Sequence, residues 1–256
     1  MDISSTDTIS ISASQLVHAL AEELSTQTSA AFGSFTPAIY DTAWLAMIVK
    51  PTGGLRQELL FPDCLNYLIQ EQKTDGSWES YGSPIDGILN SLAALLAMVK
   101  HKERQSCSPL ERLLLSPRIE GATMAISRLL KEWEVHETCH VGFEILVPSL
   151  LEYLASYNIN LYDFPGKNPL YCLYEKKLKN FPFESLYGKS QTTLLHSLEA
   201  FVGKIEFGRL SHHLTAGSML GSPASTAAYL MEATEWDTRA EMYLHQVDQR
   251  WFGNAK

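Results

Sequence analysis

Cysteine is scarce in this chain and widely dispersed. Cys64, Cys107, Cys139 and Cys172 show no Cys-x-x-Cys spacing. That argues against a zinc site and against a disulfide scaffold, and it fits a reducing compartment. Basic charge is also short: 20 Lys and Arg face 29 Asp and Glu, for a net charge of −9. A nucleic-acid surface and an anionic membrane are therefore poor partners, and an anionic ligand would need a local lysine cluster or a metal ion. No run approaches 18 apolar residues, so no membrane span is expected. The first ten residues carry Asp2 and Asp7, no base and no apolar core, unlike a secretory signal or an Arg-rich transit peptide. The cytosol is the default expectation. Strand-type alternation is missing as well, which leaves an all-α chain. With 45% hydrophobic residues in 256, it can bury a large core as one large domain or two small ones.

What is present centres on Gln72-Lys73-Thr74-Asp75-Gly76-Ser77-Trp78. An apolar helical segment, 64–69, precedes it. After it, apolar residues at 85, 88, 89, 92, 95, 96 and 99 keep the spacing of one helix face. Asp75-Gly76 supplies turn chemistry, because Gly accepts positive φ and Asp bonds its own backbone. The stretch reads helix, tight turn, helix. Gln72 can bond exposed helix carbonyls, and Trp78 can stack over the turn; together they would clamp two helix ends.

Elsewhere, Ser14 is placed to cap a helix over 15–24, and residues 25–35 read as a linker. Asp41 interrupts an apolar, aromatic segment, 37–48, where the plain role is a helix N-cap or first-turn acid. Residues 100–117 read as a charged loop with a short apolar island at 113–115, followed by a helix over 119–133. Pro148 suits the first turn of a helix, which would leave Glu144 just outside that helix's N-terminus. Residues 158–169 form a loop. Lys176, Lys177 and Lys179 make the densest basic cluster. Helical segments then carry His196, residues 225–230 and residues 235–251, with a Gly/Ser/Pro loop at 217–224.

Five ordered motifs add to this reading: Tyr40-Asp41-Thr42-Ala43-Trp44, the Gln72 to Trp78 stretch, Gly142-Phe143-Glu144-Ile145, Leu194-Leu195-His196-Ser197-Leu198-Glu199, and Ser222-Pro223-Ala224-Ser225-Thr226-Ala227. Together they resemble the front part of class II diterpene cyclases, the copalyl diphosphate synthases and their bifunctional relatives. The wording around Ile145 to Pro148, Ile205 to Phe207 and His212-His213 is most similar to fungal bifunctional copalyl diphosphate/kaurene-type synthases. The resemblance runs from about 34 to 244.

That resemblance implies an α-helical double-barrel γ domain over 34–250, inserted after one helix of a β domain. Residues 1–33 would then hold a disordered start plus that orphan β helix, and 251–256 a divergent tail. The implied reaction is protonation-initiated cyclisation of geranylgeranyl diphosphate with Mg²⁺. The family's initiating acid lies in an Asp-x-Asp-Asp motif, which these residues do not contain, nor do they contain Asp-Asp-x-x-Asp. The expectation is a truncated cyclase, inactive alone and completed by a β-domain-bearing cyclase; the alternative is a non-catalytic protein that binds a partner or a prenyl diphosphate. By resemblance, His196 matches a histidine holding the water that acts as terminal base, Glu144 an acid linked to Mg²⁺, and Lys177 a lysine contacting the diphosphate, with Lys179 also open. The plainer readings are a core helix-face histidine, a helix-start acid and a solvated lysine.

Overall fold

The computed structural model describes residues 12–18, 37–51 and 58–252. Helix α1 (12–18) is exposed along its length, so Ser14 lies within a helix and does not cap it. Residues 19–24 of the expected first helix, the 25–35 linker and residues 253–256 of the tail lie outside the described residues. The helices that follow are α2 (Ile39–Ala46), α3 (Pro62–Glu71), α4 (Pro84–Glu103), α5 (Pro109–Glu132), α6 (Phe143–Ser156), α7 (Lys167–Lys179), α8 (Pro223–Glu232) and α9 (Thr238–Phe252). Tight 3₁₀ turns fill much of 183–213, the longest being Thr193–Phe201. Among the described residues the strands are β1 (Val49–Lys50) and β2 (Glu58–Leu59), an antiparallel ribbon pairing Val49 with Leu59. No described helix is long and apolar enough to cross a membrane.

The packing closes a ring. α2 lies against α4, α4 against α6, α6 against Thr193–Phe201, that segment against α8, and α8 against α2. Outside this inner ring, α3 packs on α2, α5 on α4, α7 on α6 and α9 on α8. The result is a two-layered α/α barrel. α4 is its most enclosed stave: residues 87–99 are buried all round, including Ser91, Ala93, Ala94 and Ala97. A helix apolar on every side belongs inside a core, and small residues let its neighbours approach closely. Pro84 opens α4 in the first turn, and Asp86 Oδ2 accepts the Ser83 N–H at 3.1 Å.

The expected loops 158–169 and 217–224 end early, because α7 begins at Lys167 and α8 at Pro223. Two further boundaries differ from the sequence expectation. The charged loop expected over 100–117 is mostly helix: α4 runs to Glu103, and α5 starts at Pro109 behind a capping box in which Ser108 Oγ and the Glu111 carboxylate each take the other's N–H. Pro117 is absorbed inside α5, where Leu113 and Leu114 face solvent and Leu115 faces the core. Helix α6 likewise begins at Phe143 and holds Pro148 in its interior, so Glu144 lies inside the first turn and not before it. Gly142, at φ 94°, sets that start with a backbone conformation other residues rarely adopt.

The turn after α3 behaves as expected in outline. Gln72 Nε2 donates to the carbonyls of Gly76 and Arg118, while Arg118 donates to Gln72 Oε1 and to the Ile69 carbonyl. The Trp78 ring is buried, and its Nε1 donates to the Leu68 carbonyl at 2.9 Å. The last carbonyls of α3 are thus capped by side chains from elsewhere in the chain. Asp75 takes the N–H and hydroxyl of Ser77 and pairs with Arg128; the two Ser77 hydrogen bonds first, and Arg128 after them, hold its carboxyl down at about 2.

Gly76 sits at φ 88°, and a Cβ there would lie 2.3 Å from the Gly121 carbonyl oxygen on α5. Gly76→Ala should therefore lose roughly 2–3 kcal/mol, from left-handed strain and backbone overlap together. Gly121→Ala meets only the Gly76 Cα at 3.8 Å. It should be neutral or stabilise by up to about 1 kcal/mol through helix propensity. Denaturant titration of both variants checks the contrast, and equal losses at the two sites would overturn it.

Candidate functional site

The two ends of the barrel differ in polarity. A groove of about 520 Å³ is lined by Ala46 and Met47 from the end of α2, Lys100, His101 and Glu103 from the end of α4 with Arg104 beyond it, Tyr157 beyond α6, and Leu230 to Thr234 at the end of α8. The C-terminal ends of four inner helices therefore meet at one end of the barrel, and their N-terminal ends meet at the other. Contacts at that second end agree. Asp41 Oδ1 accepts the Ala224 N–H at 3.1 Å, joining the starts of α2 and α8. His140, just before α6, lies 3.6 Å from Asp86 in the first turn of α4. Parallel helix starts present unpaired N–H groups and the positive ends of their dipoles, which suits an anionic ligand.

Most of the chemistry-bearing side chains found in the sequence gather at this end. Glu144, in the first turn of α6, is paired through Oε1 with Lys177 near the end of α7. Its other oxygen, Oε2, is buried and has no hydrogen-bond partner among the described residues. Of the three clustered lysines, it is Lys177 that reaches Glu144. His196 is exposed and, among the described residues, hydrogen-bonds to none; it is not the core histidine of the plainer reading. It stands next to Ser197, whose φ of −139° and ψ of 37° break the Thr193–Phe201 segment into two short turns. Its field nonetheless reaches Asp41, where it favours the charged carboxylate. No contact joins His196 to the Glu144–Lys177 pair among the described residues.

Behind His196 lies a buried carboxylate that the sequence reading did not single out. Glu199 is 3% exposed. It accepts from the Tyr40 hydroxyl at 3.2 Å and from the Ser225 hydroxyl at 2.7 Å, and Ser225 Oγ in turn accepts the Leu198 N–H. Burial pushes the Glu199 carboxyl up to about 7, against the pull of the Ser225 hydrogen bond; the nearby Asp41 carboxylate adds to the rise. Burial likewise raises Asp41 to about 6, while the Ala224 N–H and His196 pull it back. Asp41 is a first-turn acid of α2, as expected, but it caps α8 and not its own helix. The available signal for Glu199 was an acid inside the apolar run Leu198-Glu199-Ala200-Phe201.

No family model matches the chain. It is 44% identical over 237 residues to a copalyl diphosphate synthase of Talaromyces verruculosus, covering 92% of this chain and 24% of that protein. It is 43% identical over 225 residues to an ent-kaur-16-ene synthase of Fusarium fujikuroi, covering 85% of this chain and 23% of that protein. The crystal structure of ent-copalyl diphosphate synthase from Arabidopsis thaliana superposes with a TM-score of 0.68 at 31% identity, over 94% of this chain and 33% of the other.

The chain belongs to the class II diterpene cyclase family.

It spans about a quarter of the length of the curated relatives it matches. The all-α fold expected of a class II diterpene cyclase is the fold found. The Arabidopsis cyclase was solved in complex with (S)-15-aza-14,15-dihydrogeranylgeranyl thiolodiphosphate, a prenyl diphosphate analogue.

Proposed function

We propose that this chain is the γ-type barrel of a class II diterpene cyclase of the copalyl diphosphate synthase kind, contributing one wall of a geranylgeranyl diphosphate site. The observation that supports this reading best is the Glu144–Lys177 pair at the N-terminal end of the barrel, where the helix starts favour an anion. Lys177 supplies a point charge for a diphosphate oxygen. The buried, unpartnered Glu144 Oε2 fits a hard cation held by one protein carboxylate, with diphosphate oxygens and waters completing its shell. Glu144 would hold such a Mg²⁺, and the ion would offset diphosphate charge. His196, exposed at the same end, would position the water that takes the final proton, a task suited to imidazole near neutrality.

These residues contain no Asp-x-Asp-Asp, so the initiating acid of the proposed reaction is not among them. In this reading a β-type domain supplies the acid and the second wall. Protonating an alkene requires a carboxylic acid held neutral in a dry cavity, and Asp41 and Glu199 are tied up in helix contacts. The chain alone should therefore release no copalyl diphosphate from geranylgeranyl diphosphate and Mg²⁺, whereas adding the β portion of a relative should restore cyclisation. In that reconstituted pair, His196→Ala should divert product toward water-quenched or rearranged species. Copalyl diphosphate from the chain alone would refute the division of labour; an unchanged product profile would remove His196 from the site.

Diphosphate binding gives a direct test on the chain itself. Lys177→Ala should weaken binding of a geranylgeranyl diphosphate analogue by roughly tenfold or more, the usual scale for losing one charge-assisted contact. Calorimetric titration reads this. An affinity unchanged in Lys177→Ala and lowered in Lys179→Ala would move the contact to Lys179.

A further inference from the structure

The dispersed cysteines argue against a zinc site in the linear sequence, but the fold brings one of them between two other ligand-type side chains. We propose that His101, Cys107 and Glu111 form a zinc-binding site that fastens the α4–α5 turn at the C-terminal end of the barrel. His101 comes from the last turn of α4, Cys107 from the connection and Glu111 from the first turn of α5. One donor atom from each lies within 4.8 Å of the other two. Among the described residues no other trio of His, Cys, Asp or Glu meets that condition.

The donor set suits zinc in kind and arrangement. Imidazole nitrogen, thiolate sulfur and carboxylate oxygen are the ligands Zn²⁺ takes, and three protein donors plus water make a tetrahedral site. In such a site neighbouring donors stand about 3.3–3.8 Å apart, given metal–ligand distances near 2.0–2.3 Å. His101 Nε2 and Glu111 Oε1 already stand 3.9 Å apart, so the site needs only a small contraction. Glu111 divides its work: Oε2 accepts the Ser108 N–H of the capping box, which leaves Oε1 turned toward His101. The turn between them is held independently. Arg112 donates from Nε to the Cys107 carbonyl and from a terminal nitrogen to the Arg104 carbonyl. One adjustment is required. An Arg104 guanidinium nitrogen lies 3.5 Å from His101 Nδ1, and a zinc-bound imidazole carries its proton on that nitrogen, so the guanidinium must turn aside.

His101 stands in the last turn of α4, which contributes the negative end of its dipole against the positive end of α5 at Glu111. His101 also lines the open groove at this end, which gives an ion a way in. This site lies at the opposite end of the barrel from Glu144, Lys177 and His196, and it does not depend on the proposed cyclase role.

The test uses the 256-residue chain with the exposed Cys139 and Cys172 changed to serine, which removes competing thiolates. Titration with Co²⁺ should give one-to-one binding with a near-ultraviolet thiolate-to-cobalt charge-transfer band. Stoichiometric Zn²⁺ should bleach the band, and excess Mg²⁺ should leave it. Adding Cys107→Ser should abolish the band. His101→Ala and Glu111→Gln should each weaken Zn²⁺ binding by about 100-fold or more, at or beyond the 10–100-fold typical of losing an outer-shell partner. Glu111→Gln keeps an acceptor for the Ser108 N–H, and circular dichroism in chelator confirms that each variant is folded. Zn²⁺ should also raise the melting temperature of the parent and not of Cys107→Ser. Absence of the band, or zinc affinity in the folded His101→Ala and Glu111→Gln variants equal to the parent, would overturn the site.

Discussion

Trp78→Ala should destabilise the chain by roughly 3–5 kcal/mol, the range for deleting a buried Trp. For a domain of this size that is a fall in melting temperature of roughly 6–20 °C. The indole is 1% exposed and fills the space between the end of α3 and the wall of α4, where the Trp78 N–H also donates to Ser91 Oγ at 3.1 Å. Its Nε1 is the partner of the Leu68 carbonyl, one of the last-turn acceptors that α3 cannot satisfy itself. Two effects therefore combine, a cavity and an orphaned acceptor, and a second variant separates them. Trp78→Phe keeps much of the ring but loses the N–H, so it should lose about 1–3 kcal/mol, the scale for stranding one buried polar group. Urea titration of both variants measures the split. A Trp78→Ala midpoint equal to the parent would show that the indole does not join the two helices, and the observed burial would then have no energetic meaning.

Much of the barrel was legible because its signals are local. Asp75-Gly76 and the flanking apolar spacing define helix, turn, helix within about forty residues, and Gln72 and Trp78 reach the Gly76 and Leu68 carbonyls, four and ten residues away. The errors arose where a local signal has two meanings. Pro148 suits a first turn, but in α6 it lies in the interior because Gly142 starts the helix and Phe143 and Ile145 must be buried. Pro117 and the exposed Leu113 and Leu114 masked α5, although Ser108-Pro109 with Glu111 was a readable helix start. The apolar stripe of α4 showed one face but not that Ser91, Ala93 and Ala97 bury the others, since small residues carry little periodic contrast.

The site was legible only as single residues. His196, Glu144 and Lys177 came from family-like wording, and the sequence says nothing of the Glu144–Lys177 pair, 33 positions apart. Ser225 is 26 residues from Glu199, but Ala224 is 183 from Asp41 and Tyr40 is 159 from Glu199, so no spacing argument could assemble the cluster. What the sequence does show is an acid in each of two apolar runs. In a closed core that pattern demands a neutralised or hydrogen-bonded carboxyl, and the barrel supplies hydroxyls and a helix N–H.

Those two carboxyls should give the chain a stability maximum near pH 4 and a fall on the order of a few kcal/mol toward pH 8. In an unfolded chain Asp and Glu titrate near 3.9 and 4.3. In the fold, burial raises Asp41 to about 6 and Glu199 to about 7. Across that window the folded state holds protons that the unfolded chain has released, so rising pH favours unfolding. The contribution is fully present below about pH 4 and gone above about pH 7. On the acid side the sign reverses. Asp75, at about 2, and Asp237, Glu111 and Glu241, held low by hydrogen bonds and cations, lose stabilising interactions as pH falls below about 4. His101 opposes the main trend: burial and Arg104 lower it, so it adds stability as pH rises toward about 6.5. Glu199→Gln imitates the protonated carboxyl, since its amide can accept from Tyr40 and donate to Ser225. It should match the parent at about pH 4 and be the more stable of the two at pH 8. Asp41→Asn, which still accepts the Ala224 N–H, should remove most of the remaining slope. Denaturant midpoints measured from pH 4 to 8 decide the matter: a parent profile that is flat or rising from pH 5 to 8, or a Glu199→Gln profile as steep as the parent's, would mean that these carboxyls are ionised in the fold and that charged partners, not buried neutral hydrogen bonds, hold α2, α8 and the His196 segment together.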